Sequence, residues 1–274
     1  MTDPTLQINL NLAALWSKFF VKLQHLLDGV SLLEAGASIV TEEQVSANRG
    51  FMSFSPASNS QLSFPQATEF SQNWLLRAFL RDSIEITGLF LDECLSVCAL
   101  IQLAAKGKVS GSEVNHVMNV LPERHHKLHF PEKLARLERE FGVRSPFTPH
   151  VSSLNRTRTC VVHRLGIVSP LDVNEDNELV VTWRTTQMVA REIESGKELV
   201  LDRPGLLVKN ESMLEMKFID HQKRFALGEQ VKLTPFEIYS SIVTFWAFGT
   251  STAEAIEDFS RSLGLGQNVP NPEG

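Results

Sequence analysis

Residues 67–106 of the sequence read ATEFSQNWLLRAFLRDSIEITGLFLDECLSVCALIQLAAK. The stretch contains no proline, and its apolar residues recur at the three- and four-residue spacing that predicts an amphipathic helix. The residues of this apolar pattern are Trp74, Leu75, Phe79, Ile84, Leu89, Leu91, Leu95, Cys98 and Ile101. Because a helix of this length is unusual in a globular protein, we expect Gly88 to mark either a break or a close contact with another helix.

Helical patterns lie on both sides of this stretch, at residues 6–35, 110–121, 131–141, 151–166 and 235–263. A break near Gly29 is left open for the first of them. The last has the clearest start, since Thr234 can cap the helix, Pro235 suits its first position and Glu237 completes a capping box. Residues 49–66 and 122–130 are predicted as loops.

The pattern changes between the last two long helices. Residues 178–184, 198–202, 206–209 and 225–233 are β-like, and turn sequences such as Ser195-Gly196 separate them. We therefore predict a mainly α protein with a small antiparallel β insertion at about 172–231. Residues 1–264 are interpreted as a single domain and residues 265–274, rich in Gly, Pro and Asn, as a disordered tail.

Composition limits the function. The 274 residues are 43% hydrophobic and 21% charged, which is typical of a globular protein. The net charge of −6 argues against a protein that coats nucleic acid with its whole surface, so any polyanion must bind locally. The start of the chain does not resemble a signal peptide, and no apolar run has the length of a membrane span, so we expect a cytoplasmic protein.

Metal and cofactor sites are not predicted. Cys94 and Cys98 are one helical turn apart without a second ligand pair, so they are interpreted as core residues. The three cysteines, an odd and sparse set, suit a reducing compartment. A histidine cluster lies in a predicted polar loop without nearby carboxylate or cysteine ligands; its members are His125, His126 and His129. No phosphate-binding glycine loop or nucleophile elbow is present.

The segment 141–171 is the most informative for function. It contains no Asp or Glu, although the chain has 32 of them, and it carries two histidines and four arginines: His150, His163, Arg144, Arg156, Arg158 and Arg164. A local excess of cations in an acidic protein is typical of a phosphodiester site. The alternative, which charge alone favours, is that these arginines pair with carboxylates elsewhere in the fold.

Spacing places several of these side chains on one face of the predicted helix 151–166. Asn155, Thr159 and His163 are four residues apart and therefore share a face. Arg156 is two turns before His163, and Arg158 is close enough for its long side chain to reach the same face. Apolar residues of the same helix are expected to face the core; they are Val161, Val162 and Leu165.

This arrangement resembles the signature of HEPN domains, in which an arginine precedes a histidine by four to six intervening residues on one helix. Arg158-Thr159-Cys160-Val161-Val162-His163 has four intervening residues, and the pair Arg156 and His163 has six. The continuation to Val168 is similar to that of helical, HEPN-like proteins of bacterial plasmid and phage-defence systems. The resemblance covers residues 145–168 well, and the β insertion is not part of a minimal HEPN bundle. Thr159 stands where the family usually has Asn.

The resemblance implies a helical bundle and, in many members, a metal-independent endoribonuclease that acts as a homodimer with both motifs at the interface. RNA cleavage by the 2′-hydroxyl needs a proton-transferring group and a fixed cation on the phosphate. His163 and Arg158 are thus predicted to be catalytic, while Arg156, Asn155, Thr159 and Arg164 are predicted to bind substrate. No cofactor is expected, and an antitoxin protein is a further candidate partner.

Two other interpretations stay open. Some HEPN domains have lost activity and bind RNA or a partner protein, and Thr159 favours that alternative. A structural interpretation treats the β insertion and the last helix as an oligomerisation platform, with His163 incidental.

Overall fold

In the computed structural model, residues 11–49, 62–107, 109–203, 206–208 and 210–265 are described. The described chain begins with α1 Leu12–Ile39, α2 Glu42–Arg49, α3 Phe64–Ala105, α4 Gly111–Asn115 and, after a π-helical turn at His116–Val120, α5 Leu121–His126. They are followed by α6 Phe130–Phe141 and α7 Thr148–His163. Three strands, β1 Glu178–Glu192, β2 Glu198–Val200 and β3 Ser212–Ala226, then lead into α8 Pro235–Ser262.

The protein is therefore mainly helical with a small antiparallel sheet, as the sequence predicted. The strand order is β2-β1-β3, and β1 and β3 pair along their whole length from Glu178 opposite Ala226 to Glu192 opposite Ser212. Three details of the β prediction were wrong. Residues 206–208 form no strand, and the predicted strand at 225–233 lies mostly beyond β3, which ends at Ala226. Most of β3 was also missed, because only its last two residues belong to that prediction.

The helices also differ in detail from their predictions. Neither α1 nor α3 is broken at its glycine, and the predicted loop at 122–130 contains most of α5. The predicted helix residues 6–10, most of the predicted loop at 49–66 and all but the first residue of the predicted tail lie outside the described residues. No helix in the described part of the chain is both long and apolar enough to cross a membrane.

The chain divides into two compact units, and each boundary falls within a helix. The first unit comprises the described residues of 1–24, 83–152 and 245–274. In it the rings of Phe19 and Phe90 stack with centroids 4.3 Å apart. A side chain at Gly249 would collide with the ring of Phe19, so glycine permits this packing. Gly88 likewise lies at a close helix contact, since Lys133 of α6 donates to its carbonyl at 3.3 Å.

The second unit comprises the described residues of 25–82 and 153–244, including the sheet. Buried residues alternate along the first half of β1, where Leu179, Val181 and Trp183 point to the core. On one side of this half of β1, helix side chains form hydrogen bonds with the strand backbone. The Ser153 hydroxyl of α7 bonds both the Val180 carbonyl and the Thr182 amide at 2.9 Å, and Thr244 of α8 accepts from the Arg184 amide at 2.8 Å. These bonds fix both α7 and α8 to the sheet.

Candidate functional site

The C-terminal half of α7 has one buried and one outward face. Leu154, Thr157, Cys160 and Val161 are buried, at the spacing expected of a helix that packs on a core. On the opposite side Arg156 and His163 are exposed, while Asn155 and Thr159 are half-buried. The structure therefore leaves these four side chains on the side of α7 away from its buried residues.

Two of the three apolar residues assigned to the core of this helix lie elsewhere. Val161 is buried, but Val162 is half-buried and Leu165 is 68% exposed. For Leu165 the cause is the end of the helix at His163, earlier than predicted. Leu165 has a φ of 56°, in the left-handed region, so it no longer follows the helical periodicity.

Backbone bonds hold the end of α7 in place. Gly166, with a φ of 82°, donates to the carbonyl of Cys160 at 3.2 Å, as in a helix that ends on a left-handed residue. Ile167 then forms a β-bridge with Gln230, and Val168 donates to the carbonyl of Glu229 at 2.9 Å. His163 therefore projects from a fixed helix end and not from a loose loop.

Arg158 and His163 are in contact. The Arg158 Nη1 and the His163 Nε2 are 3.4 Å apart, a distance at which the guanidinium donates to the imidazole. An imidazole that accepts this bond carries its proton on Nδ1, and its one Nε2 lone pair points at the guanidinium, so Nε2 can take a proton only when Arg158 moves off it. The Arg158 Nε–H is buried and has no hydrogen-bond partner among the described residues. The pair thus combines a fixed cation with a proton acceptor.

The neighbouring polar residues differ in whether their side chains are already hydrogen-bonded within the protein. The Arg156 side chain has no hydrogen bond or ion pair to any other residue that the structure describes, and it is exposed. The Thr159 hydroxyl donates to the backbone carbonyl of Asn155 at 3.0 Å, so its proton is used within the helix. The Asn155 amide remains on the outward face, half-buried beside Thr159.

Arg164 has a structural partner that the sequence analysis missed. It binds Asp172 through two N–H groups, one of them at 2.8 Å, and Asp172 is 1% exposed. The Ser169 amide and hydroxyl also donate to Asp172, at 2.9 and 2.7 Å. Burial alone would raise the pKa of Asp172, but the bonds from Arg164 and Ser169 outweigh it and lower the pKa.

This arrangement turns the Arg164 guanidinium away from a phosphate-binding role and towards holding the turn after α7. The sequence contained a sign of it, since Ser169 and Asp172 stand three residues apart in a Ser-Pro-Leu-Asp turn, a spacing at which side chains bond the local backbone.

The cysteines and the histidine cluster occupy ordinary structural positions. Cys94, Cys98 and Cys160 are buried free thiols, and burial raises the pKa of Cys160 to about 11 and that of Cys98 to about 12. His125 is buried near Ser96, and burial lowers its pKa. Within the described ranges, no three His, Cys, Asp or Glu side chains are grouped as metal ligands.

Comparisons with protein-family models, curated proteins and solved structures gave no match for this chain. The function proposed below therefore rests on the geometry of α7 and on the resemblance of its motif to the HEPN signature.

Proposed function

We propose that this protein is a HEPN-like, metal-independent endoribonuclease of a toxin or defence system. One observation carries the proposal: the Arg158 guanidinium lies 3.4 Å from the His163 imidazole on the outward face of a fixed helix end. These are the two groups that RNA cleavage by an internal nucleophile requires, a proton acceptor and a cation for the phosphate. The helical bundle that the HEPN resemblance implies belongs to the same proposal.

In the proposed reaction the 2′-hydroxyl oxygen of the RNA attacks the adjacent phosphorus. The Arg158 guanidinium turns from His163 to the phosphate, which frees the Nε2 lone pair to take the proton of that hydroxyl, and the bond from phosphorus to the 5′-oxygen breaks. The departing 5′-oxygen receives a proton from water, so the products are a 2′,3′-cyclic phosphate and a 5′-hydroxyl. Arg158 donates to the non-bridging oxygens, where negative charge increases in the transition state. Arg156 binds a neighbouring phosphate, and Asn155 orients the bound group.

A homodimer with two facing copies of α7 is part of the proposal, because the HEPN resemblance implies it. The exposure of Arg156 and His163 is consistent with a surface that a second chain or an RNA strand covers. An antitoxin protein that covers the same face is the corresponding proposal for control of activity.

The second candidate is a non-catalytic module that binds RNA or a protein partner. Its specific support is Thr159, which replaces the usual Asn of the motif and donates its hydroxyl proton to the Asn155 carbonyl at 3.0 Å. A residue engaged in this way has no proton left for a substrate oxygen. The two candidates share the binding face and differ only in turnover.

The test is cleavage of end-labelled single-stranded RNA in EDTA by the wild type, His163→Ala and the matched variant His116→Ala. His116 is an exposed histidine of the π-helical turn and is not part of the motif. We expect the wild type and His116→Ala to leave cyclic-phosphate ends, and His163→Ala to be slower by about a hundredfold or more.

Equal cleavage by His163→Ala would remove His163 from the mechanism, and loss of cleavage in EDTA would contradict a metal-independent reaction. RNA that is bound but not cleaved across several sequences would establish the binding module instead. Size-exclusion chromatography with light scattering on the same samples tests the dimer.

A further inference from the structure

A cavity of about 350 Å³ lies in the second unit, and α7 contributes none of the lining residues. The second half of α1, the first half of α3 and the start of α8 form its walls. Its apolar lining includes Leu33, Ala37, Trp74, Leu75, Leu233 and Ile238. The volume is at the lower end of the range for small-molecule sites, and the lining is mostly apolar, as in such sites.

The hydroxyl groups of the wall are already satisfied by their own helices. Each donates to a backbone carbonyl three or four residues earlier: Ser38 to Ala35 at 2.7 Å, Thr68 to Phe64 at 3.0 Å, and Ser71 to Thr68 at 2.9 Å. These hydroxyl groups therefore do not require a hydrogen bond from a molecule bound in the cavity.

Glu34 is different. Its Oε1 atom is buried, and it has no hydrogen-bond partner in the described part of the chain. A buried carboxylate oxygen without a donor is costly, because it has lost water and gained nothing in exchange. Burial accordingly raises the pKa of Glu34. Glu34 lines the cavity, so an occupant that carries a donor group can satisfy this oxygen.

We propose that this cavity binds a small apolar molecule that carries a protonated amine. The ammonium group donates to the Glu34 carboxylate, and the apolar body fills the space between α1, α3 and α8. Trp74, half-exposed at the wall, offers an aromatic face for the apolar body or for the cation. A neutral apolar molecule would leave Oε1 unsatisfied, and a carboxylate would be repelled by it.

The test compares three probes of equal chain length, octylamine, 1-octanol and octanoate, by isothermal titration calorimetry below their critical micelle concentrations. We expect saturable binding of octylamine, weaker binding of 1-octanol and none of octanoate. Glu34→Gln should weaken octylamine about tenfold or more, the value of one charge-assisted hydrogen bond, and leave 1-octanol unchanged. Glu85, an exposed acid of α3, provides the matched control. Glu85→Gln should leave the affinity for all three probes unchanged.

Two further variants locate the site. Ala37→Phe fills the cavity and should abolish binding of both octylamine and 1-octanol, and Trp74→Phe should remove the change in tryptophan fluorescence on binding. The ligand-free Glu34→Gln protein should have a melting temperature equal to or slightly above that of the wild type, because the buried charge is gone.

Three outcomes would overturn the proposal. They are equal affinity for octylamine and 1-octanol, an unchanged octylamine affinity in Glu34→Gln, and a marked fall in the melting temperature of that variant, which would give the carboxylate a structural role instead. None of them depends on ribonuclease activity.

Discussion

The four arginines of the acid-free segment have different surroundings. Arg144 lies 3.5 Å from Glu138, and Arg164 binds Asp172. Both carboxylates stand just outside the segment, so a charge count confined to residues 141–171 overlooks them. Arg156 and Arg158 have no carboxylate partner among the residues that the structure describes. The cationic character predicted for the whole segment is therefore concentrated on two side chains of α7.

The two remaining arginines are expected to have separable roles. Only Arg158 contacts His163, so it is placed to stabilise charge at the phosphate that reacts. Arg158→Ala should lower the cleavage rate at saturating RNA by about a hundredfold, the usual cost of one transition-state donor. Arg156→Ala should mainly raise KM. Single-turnover cleavage at several protein concentrations separates the two effects, and a larger rate loss in Arg156→Ala would exchange the roles.

At the scale of the element, the position of the site on α7 could be predicted and its anchoring could not. The face that carries Asn155, Thr159 and His163 follows from helical periodicity, which needs only the local sequence. The end of the helix at His163 depends on the left-handed Leu165 and on Asp172, beyond the periodic stretch. The bonds of Ser153 to β1 join residues 27 and 29 positions apart, which no local pattern indicates.

Asp172 is expected to be the main support of this helix end. Asp172→Asn removes one partner of a buried ion pair and should lower the free energy of unfolding by roughly 3 kcal/mol at pH 7. Because Arg164 and Ser169 lower the pKa of Asp172, its contribution is present above the ordinary value of 3.8 and is lost as the pH falls through the folded value. The gap in free energy of unfolding between the wild type and Asp172→Asn should therefore narrow below about pH 4.

Urea unfolding of both proteins at pH 7 and at pH 3 measures this gap. Asp176, an exposed acid of the following turn, provides the matched control. Asp176→Asn should have the same free energy of unfolding as the wild type at both pH values. A gap that stays constant with pH would mean that the loss in Asp172→Asn arises from packing and not from the ionised carboxylate.

At the scale of the whole molecule, the mainly helical class and the position of the sheet were predictable because long periodic stretches dominate the chain. β3 was missed because most of it is exposed or half-buried and only Phe225 is fully buried, so its hydrophobic pattern is weak. Helix α2 was missed although Thr41-Glu42-Glu43-Gln44 is a readable capping box, in which Thr41 and Gln44 bond each other's backbone amides. The division into two units rests on long-range packing, which periodicity does not contain.

The net charge of −6 restricts RNA binding to local contacts, and the number of these contacts determines how binding depends on salt. An acidic chain gains no attraction from its surface as a whole, so the proposed site must rely on Arg156 and Arg158. Each phosphate neutralised on single-stranded RNA contributes a slope of about −0.7 to log K against log salt, so two arginines give about −1.4 per chain. Fluorescence anisotropy with His163→Ala and labelled RNA, at several salt concentrations, measures the slope without cleavage.

Replacing either Arg156 or Arg158 by alanine in that background should reduce the magnitude of the slope by about 0.7, and Arg144→Ala, whose guanidinium faces Glu138, should leave it unchanged. A homodimer that binds one RNA with both motifs should show twice the slope. Each substitution should then reduce the slope by twice as much, because it removes two contacts. A slope steeper than these values and unaffected by the two substitutions would place the RNA on another surface. In that case the contact between Arg158 and His163 would be a structural feature of α7 and not a ribonuclease site.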